Sequence, residues 1–490
     1  MTASSRKWRY GLLLLLILAG CALRIATLPH EALDGDEMFS HRVALAPAAT
    51  ALGMIRNDIV HPPLYYFIIK AGVALWGASA LGIRLLSLLF GLATIPVAMK
   101  VGSLLPESRY TGVLAAAVVA LNSTLIFFSQ QARSYAFYAC MVLVLVWWVW
   151  RVTTGPRSTL LWIAGGALMV VLVYTHYVAA VYIFFAAIAV LLSKQARGVK
   201  IGMFVCGSIA AVSILPWLFA VWSALHARHG VALNLDWQGH PGLYDLKEMF
   251  AFTLGILSFR GATTVALILI ALFCAAALLL AWGRESWRES PVLLAVILLA
   301  FLPPLTMFLL SKPPFNQSLF AARHVLPSVP LLGILCCYGI DLLAQRPGAL
   351  YRGVATIGAF VVLAIVAVSS ISDLRNAPAR IPYDVVAKTL QAEPLAGTPA
   401  YAPWFYGIGQ TVNFYCHTTC VQAMPANDAD LPQTFALLYR PRATKDSRRY
   451  RALLQEGYVE TSSAHYDAHS GTHGPTVAVL TRTRSADSTH

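Results

Sequence analysis

The residues best suited to chemistry begin with a short acidic segment near the N-terminus, where Asp34, Asp36 and Glu37 lie within four residues. Carboxylates this close repel one another, a situation that suits a general base or a metal ligand. The alternative is a solvated acidic loop that caps a short helix, with Asp34 as the N-cap of Met38–Ala46. Residue types alone leave both interpretations open.

Other polar residues occur at the ends of apolar runs that are predicted to share one side of a membrane. An isolated arginine in such a place usually extends to the lipid headgroups. Several cations from separate hairpins at one depth are less ordinary, because together they can hold a phosphate while a carboxylate accepts a proton. The candidates are Asp36 and Glu37 as catalytic carboxylates, His61, Arg133 and Arg323 as phosphate ligands, and Asp58, Tyr65, Tyr135, His176, Lys312 and His324 as further cavity residues.

The chain that must position these residues is apolar throughout most of its length. Of its 490 residues, 58% are hydrophobic and 12% are charged, whereas a soluble domain carries roughly 25% charged residues. The apolar residues form about eleven runs long enough to cross a bilayer. A soluble multidomain enzyme is therefore excluded, and the net charge of +14 indicates membrane topology and not nucleic-acid binding.

Positive charges set the predicted orientation. Arg6, Lys7 and Arg9 precede the first apolar run, which predicts a cytoplasmic N-terminus. Loops alternating from there are richer in lysine and arginine on the inner side, provided that Pro62–Trp76 does not span. At about 15 residues, Pro62–Trp76 is short for a span and is predicted to be an interfacial or re-entrant helix within a first outer loop over residues 30–80.

Two domains are predicted, a transmembrane domain over 1–371 and an extracytoplasmic α/β domain over 372–490. The second alternates helix-like and strand-like stretches. Cys416 and Cys420 lie on the oxidising side of the membrane, and the sequence leaves open whether they are bonded. The helix-like stretches are Tyr383–Ala392 and Thr444–Gln455, and the strand-like ones are Thr398–Ala402, Thr434–Tyr439 and Thr476–Thr481.

Five motifs then occur in a fixed order along the chain. They are Asp36-Glu37, Asp58-x-x-His61-Pro62-Pro63-Leu64-Tyr65-Tyr66, Gln131-Ala132-Arg133-Ser134-Tyr135, Thr175-His176-Tyr177 and Arg323-His324-Val325-Leu326-Pro327. In this order the chain resembles the protein O-mannosyltransferase/aminoarabinose transferase superfamily, over about residues 10 to 345. The acidic pair and the His-Pro-Pro-Leu-Tyr-Tyr element are the more specific of these motifs.

The resemblance implies a membrane glycosyltransferase of the GT-C fold that uses a polyprenyl-phosphate sugar. It implies Asp36 as the catalytic base and places His61 near the donor phosphate. Arg133 and Arg323 are implied as further phosphate or cavity contacts. The expected reaction inverts the sugar C1 as an acceptor hydroxyl attacks and polyprenyl phosphate leaves.

The leading expectation is thus transfer of a hexosyl or pentosyl group at the outer face of a bacterial cytoplasmic (inner) membrane, to a lipid, glycan or protein acceptor. No cofactor is required, although a divalent metal at Asp58 or Glu37 is compatible with the residues. The alternative is a transporter or flippase for lipid-linked sugars. A transporter favours ionisable residues at the membrane midplane and inverted repeats. Few residues within the predicted spans are charged, namely Arg24, Arg84 and Asp341.

Overall fold

The computed structural model describes most of the chain and divides it by internal contacts into two compact units. Unit 1 comprises Met1–Ala26 and Val43–Ser372, and unit 2 comprises Thr27–Arg42 and Asp373–His490. The acidic segment is thereby grouped with the C-terminal residues, and the predicted domain boundary at residues 371 and 372 stays a prediction. The described residues are 3–26, 28, 33–227, 241–255, 263–282, 289–313, 319–376, 382–403, 408–416, 419–425, 427, 430–441, 444–466 and 475–482.

Helices form almost all of the regular structure before residue 377, because the apolar runs are rich in leucine and alanine, which favour helix. In chain order they are α1 Ala3–Ala26, α2 Gly35–Leu45, α3 Ala48–Asp58, α4 Leu64–Trp76, α5 Ala80–Gly102, α6 Thr111–Leu121, α7 Ser123–Ser129, α8 Tyr135–Thr154, α9 Thr159–Thr175, α10 Ala179–Leu192, α11 Arg197–Ala227, α12 Leu243–Ala251, α13 Thr263–Trp282, α14 Pro291–Leu310, α15 Ser328–Ala344 and α16 Ala349–Asn376. Short 3-10 helices cover Phe252–Leu254 and Ala322–Val325.

Seven of these helices are long and apolar enough to cross a membrane, namely α1, α5, α8, α11, α13, α14 and α16. The pair α6 and α7 forms an eighth candidate that is bent by 59°. The expected polytopic helical architecture is confirmed. The predicted number of about eleven spans is reached when the bent pair and the shorter apolar helices α9, α10 and α15 also cross the membrane.

The apolar run over residues 111–128 is broken between α6 and α7, and Asn122 accounts for the break. Its side chain accepts a hydrogen bond from Leu125 N at 2.9 Å, so that it caps α7. Its amide nitrogen donates to the carbonyls of Phe252 and Thr253 at 3.1 and 2.9 Å. Because one asparagine satisfies both α7 and the 3-10 helix, the interruption leaves fewer backbone groups unpaired at membrane depth.

Arg24, at the end of α1, stabilises the same break. Its fully buried guanidinium donates to Gly20 O at 3.0 Å, Ala120 O at 3.1 Å and Val119 O at 3.4 Å. The last two carbonyls belong to the end of α6, where no further helical turn follows to bond them. Arg24 O in turn accepts from Gln130 Nε2 at 2.7 Å. The arginine therefore joins α1 to both sides of the bent pair.

The other end of α6 is capped by a carboxylate from α15. Asp341 is buried, and its Oδ2 accepts hydrogen bonds from the backbone nitrogens of Arg109, Tyr110 and Thr111 at 2.7, 2.7 and 2.9 Å. The Thr111 hydroxyl donates to the same oxygen at 2.8 Å. These are backbone donors that a helix leaves unpaired at its N-terminus. The charge of Asp341 thus has a structural function.

The helix α4 covers the stretch that was expected to be interfacial. Its 13 residues correspond to a length of about 20 Å at 1.5 Å per residue, short of the roughly 30 Å hydrocarbon core. It is one of the shorter apolar helices, and its interfacial position stays a prediction.

Unit 2 contains a five-stranded mixed sheet in the order β2-β1-β3-β5-β4, as expected for a small α/β domain. Strand β1 is parallel to β2 and β3, whereas β5 is antiparallel to β3 and β4. The strands are β1 Ala400–Ala402, β2 Gln422–Ala423, β3 Thr434–Tyr439, β4 Tyr458–His465 and β5 Thr476–Arg482, and the further helices are α17 Tyr383–Gln391, α18 Gln410–Cys416 and α19 Thr444–Gln455.

The core of unit 2 contains the cysteine pair whose state the sequence left open. Cys416 and Cys420 are joined by a disulfide, with their Cα atoms 6.3 Å apart. The pairing is compatible with disulfide geometry because α18 ends at Cys416, so Cys420 is not held on the same helix with a diverging side chain.

Candidate functional site

The first part of the site is the turn between α3 and α4. Ile59 ends α3 with a φ of 59°, in the left-handed region that β-branched residues rarely adopt, and its N–H donates to Ile55 O at 3.2 Å. A conformation of this kind costs roughly 1–2 kcal/mol and persists only where the surroundings hold it. Pro62 and Pro63 then precede α4, with Pro63 at the N-cap position. The side chain of His61 lies between these two constraints and is buried.

Three histidine rings from three elements meet at this turn. The ring centre of His61 lies 4.9 Å from that of His176, which follows α9, and 6.4 Å from that of His324, in the 3-10 helix before α15. The centres of His176 and His324 are 5.4 Å apart. With Arg133 and Arg323 they form the group called here the His61 cluster.

Local hydrogen bonds define the neutral tautomers of two of these rings. His176 Nδ1 accepts from Val178 N at 3.2 Å, so the proton of the neutral ring is on Nε2. His324 Nδ1 lies 3.0 Å from Leu319 O, and because a carbonyl only accepts, this nitrogen carries the proton. The two rings therefore present opposite ends, one a donor and the other an acceptor.

The arginines supply the permanent charge of the cluster. Arg133 is 4% exposed, and its Nη1 donates to Tyr66 OH at 3.0 Å with the guanidinium carbon 5.8 Å from the centre of the Tyr66 ring. Arg323 is half-buried. Burial, followed by the charge of Arg133 and smaller effects of His176, His324 and Arg323, holds the pKa of His61 well below its ordinary value. The ring is therefore neutral at pH 7.

Several buried polar atoms beside the cluster have no hydrogen-bond partner among the described residues. Both ring nitrogens of His61 are in this state, as are His176 Nε2, Ser134 Oγ and Tyr138 OH. A buried polar atom left unpaired costs about 1–3 kcal/mol. Five such atoms around two arginines indicate a site that is completed by a polar ligand or by water.

Aromatic residues enclose the cluster. Tyr135 stands edge-on to His61 with ring centres 5.8 Å apart, and Tyr138 stacks on His176 at 4.8 Å with an interplanar angle of 2°. Tyr65 OH pairs with Ser87 Oγ at 2.6 Å. A small cavity opens here, and its lining consists of His61, Pro62, Tyr65, Tyr66, Arg133, Ser134 and Thr175.

Two of the predicted cavity residues, Asp58 and Lys312, make contacts in other parts of unit 1. Asp58 ends α3 and lies close enough to Tyr177 for its charge to act on that phenol. The ammonium group of Lys312 donates to Pro241 O and lies 5.0 Å from the centre of the Phe308 ring. The remaining unit 1 candidates lie close together, namely His61, Tyr65, Arg133, Tyr135, His176, Arg323 and His324.

The acidic segment of unit 2 forms the start of α2. Glu37 N donates to Asp34 Oδ1 at 2.8 Å, and Asp34 N donates to Glu37 Oε2 at 3.2 Å. This reciprocal pair is a capping box. The helix begins at Gly35, three residues earlier than expected, with Asp34 at the predicted N-cap position.

The capping box distinguishes the two acids predicted to be catalytic. Glu37 is fully buried and bonds Asp34 N, whereas Asp36 is exposed. The rest of this segment contacts α18. Leu33 N donates to Tyr415 OH at 2.6 Å, and Arg42 Nη1 donates to Gln410 Oε1 at 2.8 Å. His41 meets Phe414 edge-on at 5.1 Å.

Three residues of this site were not among the candidates predicted from the sequence, namely Tyr66, Ser134 and Tyr138. Each was adjacent to a signal that was used. Tyr66 follows Tyr65 in the same motif, Ser134 follows Arg133, and Tyr138 lies three residues after Tyr135 on one face of α8. None of the three carries a charge at neutral pH, and charge was the main signal from which the phosphate ligands were predicted.

Metal ligands do not gather in the part of the chain that the structure describes. There, no three histidine, cysteine, aspartate or glutamate side chains are arranged to hold an ion. Glu37, which was considered for this function, has its carboxylate in the capping box.

The fold is that of the GT-C class of membrane glycosyltransferases. In particular, the chain is similar to ArnT from Cupriavidus metallidurans in the apo state, with 14% identity over 97% of this chain and 98% of that one and a TM-score of 0.57. ArnT bound to undecaprenyl phosphate gives 15% identity, 96% and 98% coverage and a TM-score of 0.54.

A second solved relative has the same fold. The oligosaccharyltransferase AglB from Archaeoglobus fulgidus, in complex with an inhibitory peptide and a dolichol-phosphate, is 11% identical over 86% of this chain and 65% of its own, with a TM-score of 0.54. An Archaeoglobus fulgidus oligosaccharyltransferase has also been solved with Zn and sulfate. Comparisons with protein-family models and with curated protein sequences find no match.

Proposed function

We propose that the protein transfers a sugar from a polyprenyl-phosphate donor to a hydroxyl acceptor at the outer face of the cytoplasmic membrane, with inversion at the sugar C1. The observation that carries this proposal is the His61 cluster. It brings together two arginines and three histidines, all of them buried except the half-buried Arg323, and polar atoms that have no partner among the described residues surround it.

A phosphate is the ligand that fits this group. Guanidinium groups bind phosphate oxygens through directed, charge-assisted hydrogen bonds. Tyr66 already orients one face of Arg133, and the N–H on His176 Nε2 is available as a neutral donor. Solved relatives of the same fold hold undecaprenyl phosphate and dolichol-phosphate, which supports a lipid-linked phosphate as the donor group.

The catalytic base of this proposal is Asp36. It accepts the proton of the acceptor hydroxyl as the oxygen attacks C1, the C1–O bond to phosphate breaks, and polyprenyl phosphate leaves with the bonding electrons. The choice between the two adjacent acids rests on their surroundings, because Asp36 is exposed and Glu37 is buried in the capping box. His61, Arg133 and Arg323 offset the charge that grows on the leaving phosphate.

The proposed steps use side chains of the protein itself and require no cofactor, and a divalent metal is compatible with them, since a solved oligosaccharyltransferase of this fold contains Zn. The acceptor is a lipid, a glycan or a protein, and the transferred group is a hexosyl or pentosyl unit. Both are identified by mass spectrometry of envelope lipids, glycans and proteins from cells with and without the protein. The donor-derived product should disappear in the cells that lack it.

The proposed orientation places the N-terminus in the cytoplasm and the C-terminal residues outside. It depends on α4 not crossing the membrane, because one additional span reverses every later loop. A reporter that is active only outside the cytoplasm, fused after Ser372, should be active. If that fusion is inactive, and a reporter that is active only in the cytoplasm is active at the same position, the predicted topology is reversed. The reaction would then not take place at the outer face.

The central test uses the full-length protein in lipid nanodiscs. Binding of undecaprenyl phosphate and transfer of sugar from polyprenyl-phosphate sugars are measured separately. Binding should fall in Arg133→Gln and should be retained in Arg42→Gln, a matched arginine of unit 2 that bonds Gln410. If the protein moves lipid-linked sugar across the bilayer and never transfers it, the transporter alternative replaces the enzyme.

A further inference from the structure

The donor and the leaving group of the proposed reaction differ in charge. A polyprenyl-phosphate sugar is a phosphodiester with one negative charge at every physiological pH. The product is a monoester with a second pKa of about 6, so it carries nearly two charges at neutral pH. This inference rests on the proposed function, because it asks how the same phosphate site treats these two ligands.

The permanent charges of the cluster balance a phosphate, but the neutral rings do not all accommodate one. Arg133 and Arg323 are its two permanent cations. A neutral imidazole has one N–H and one bare nitrogen, and a bare nitrogen facing a phosphate oxygen is repulsive. The tautomers of His176 and His324 follow from their hydrogen bonds to Val178 N and Leu319 O.

His61 is the ring without such a constraint. Both of its nitrogens are buried and lack a hydrogen-bond partner among the described residues, so neither tautomer is selected and a second proton meets no existing donor. A dianion beside the ring opposes the effect of the arginines, which otherwise keep it neutral. The groups that face it are Arg133 between α7 and α8, Tyr135 at the start of α8, Tyr65 and Tyr66 on α4, His176 after α9, and Arg323 and His324 in the 3-10 helix.

We propose that His61 takes up a proton from solvent when a polyprenyl monophosphate, the leaving group of the reaction, binds in the cluster. The bound product is then held by two arginines and an imidazolium, and the proton is given back when the product leaves. The singly charged donor is balanced by the arginines alone and draws no proton. The site thereby distinguishes product from donor by charge and not by the lipid or the sugar.

The sign of the pH dependence follows from the two states of the ring. Free His61 is neutral and bound His61 is charged, so binding consumes a proton and weakens as the pH rises. Above about pH 7.5 a monoester is almost fully dianionic, so its own ionisation no longer contributes. In that range the dissociation constant of the monoester should rise by up to ~10-fold per pH unit, while that of a diester stays level.

The experiment is calorimetric titration of the full-length protein in nanodiscs with farnesyl phosphate, a short-chain monoester. Performed at about pH 7.5 in two buffers of different ionisation enthalpy, it counts the protons taken up on binding, and uptake of about one is expected. Farnesyl methyl phosphate, the matched diester, should bind with little uptake. This pair of ligands tests the proposal on the unmodified protein, so a variant that fails to fold does not decide it.

Two variants locate the proton. His61→Gln should bind the monoester without proton uptake, and its fold is checked by thermal unfolding. His41→Gln removes a histidine that packs on Phe414 in unit 2 and should retain full uptake. If the unmodified protein does not bind the monoester, the proposed phosphate site itself is wrong. If it binds without uptake, if the diester draws an equal uptake, or if uptake persists in His61→Gln, the phosphate site stands and the protonation of His61 is overturned.

Discussion

The start of α2 and the His61 cluster are both dense in ionisable groups, and they accommodate them in different ways. Asp34 and Glu37 bond each other's backbone nitrogens, so the acidic charge is satisfied by the chain that carries it. In the cluster, five buried polar atoms have no such partner in the described part of the chain. The capping hydrogen bonds of the first region are made within the chain, whereas the second acquires its missing hydrogen bonds from a polar ligand or from water.

Within the acidic segment, the two adjacent acids Asp36 and Glu37 have different surroundings. In the acidic region Asp36 is exposed, whereas the carboxylate of the neighbouring Glu37 is used for capping. In the cluster, the strained turn at Ile59 helps to position His61. Substitutions in one region should therefore leave the property that depends on the other region unchanged.

The largest effect is expected from Asp36→Asn. The amide keeps the shape of the side chain but does not take a proton, so turnover should fall by roughly 10²–10⁴-fold. Binding of undecaprenyl phosphate should persist, because the cations that hold it are unchanged. Sugar transfer and lipid binding are assayed on the same nanodisc preparation. Transfer at near the parent rate would show that the base has been misassigned.

The next effect concerns Arg133→Gln, which removes a buried charge and its bond to Tyr66 OH. A hydrogen bond to a charged group contributes about 1.5–3 kcal/mol, so the dissociation constant for undecaprenyl phosphate should rise by roughly 10–150-fold. Arg42→Gln is the matched control, and its dissociation constant should stay within about twofold. Equal losses in the two variants would mean that the cluster does not bind phosphate by its charge.

A smaller effect is expected from Asp34→Ala, which removes the N-cap of α2. Loss of an aspartate cap typically costs about 1 kcal/mol of stability. Thermal unfolding should therefore occur at a lower temperature, while lipid-phosphate binding stays at the parent value. The conservative variant Asp34→Asn keeps the capping oxygen and should recover most of the loss. A fall in phosphate affinity in both variants would contradict the separation of the two regions.

The smallest effect is expected from Lys312→Gln. This lysine was a cavity candidate, but its ammonium group bonds Pro241 O and lies over Phe308. Removing an exposed or half-exposed cation of this kind changes binding by about 1 kcal/mol or less, so the dissociation constant should stay within about fivefold. A loss as large as that of Arg133→Gln would place Lys312 among the phosphate ligands.

Much of the architecture was predictable from sequence because apolar length and charge bias are properties of the chain itself. The helical membrane fold and the α/β tail followed directly, and β3 was placed correctly at Thr434–Tyr439. Strand β4 at Tyr458–His465 was not, because most of its residues are polar and exposed and show no alternation. Its position depends on pairing with β5, which local pattern does not report.

The site was predictable in membership more than in geometry. The rule that ionisable groups near a membrane have a purpose selected His61, Arg133 and His176 from distant parts of the sequence. The contact between the rings of His61 and His176, and their closeness to Arg133, depend on how the elements that carry these residues pack. No residue spacing encodes that packing. The break at Asn122 was missed for the same reason, since its carbonyl partners lie about 130 residues away.

The burial of Arg24 has a consequence for how the protein is made. Its carbonyl partners at Val119 and Ala120 lie 95 and 96 residues later in the chain. At a synthesis rate of about 5–20 residues per second, the charge waits roughly 5–20 seconds for them. During that interval α1 carries an uncompensated arginine, which the hydrocarbon region disfavours. The buried hydrogen bonds that join α1 to α6 therefore form only after α6 has been synthesised.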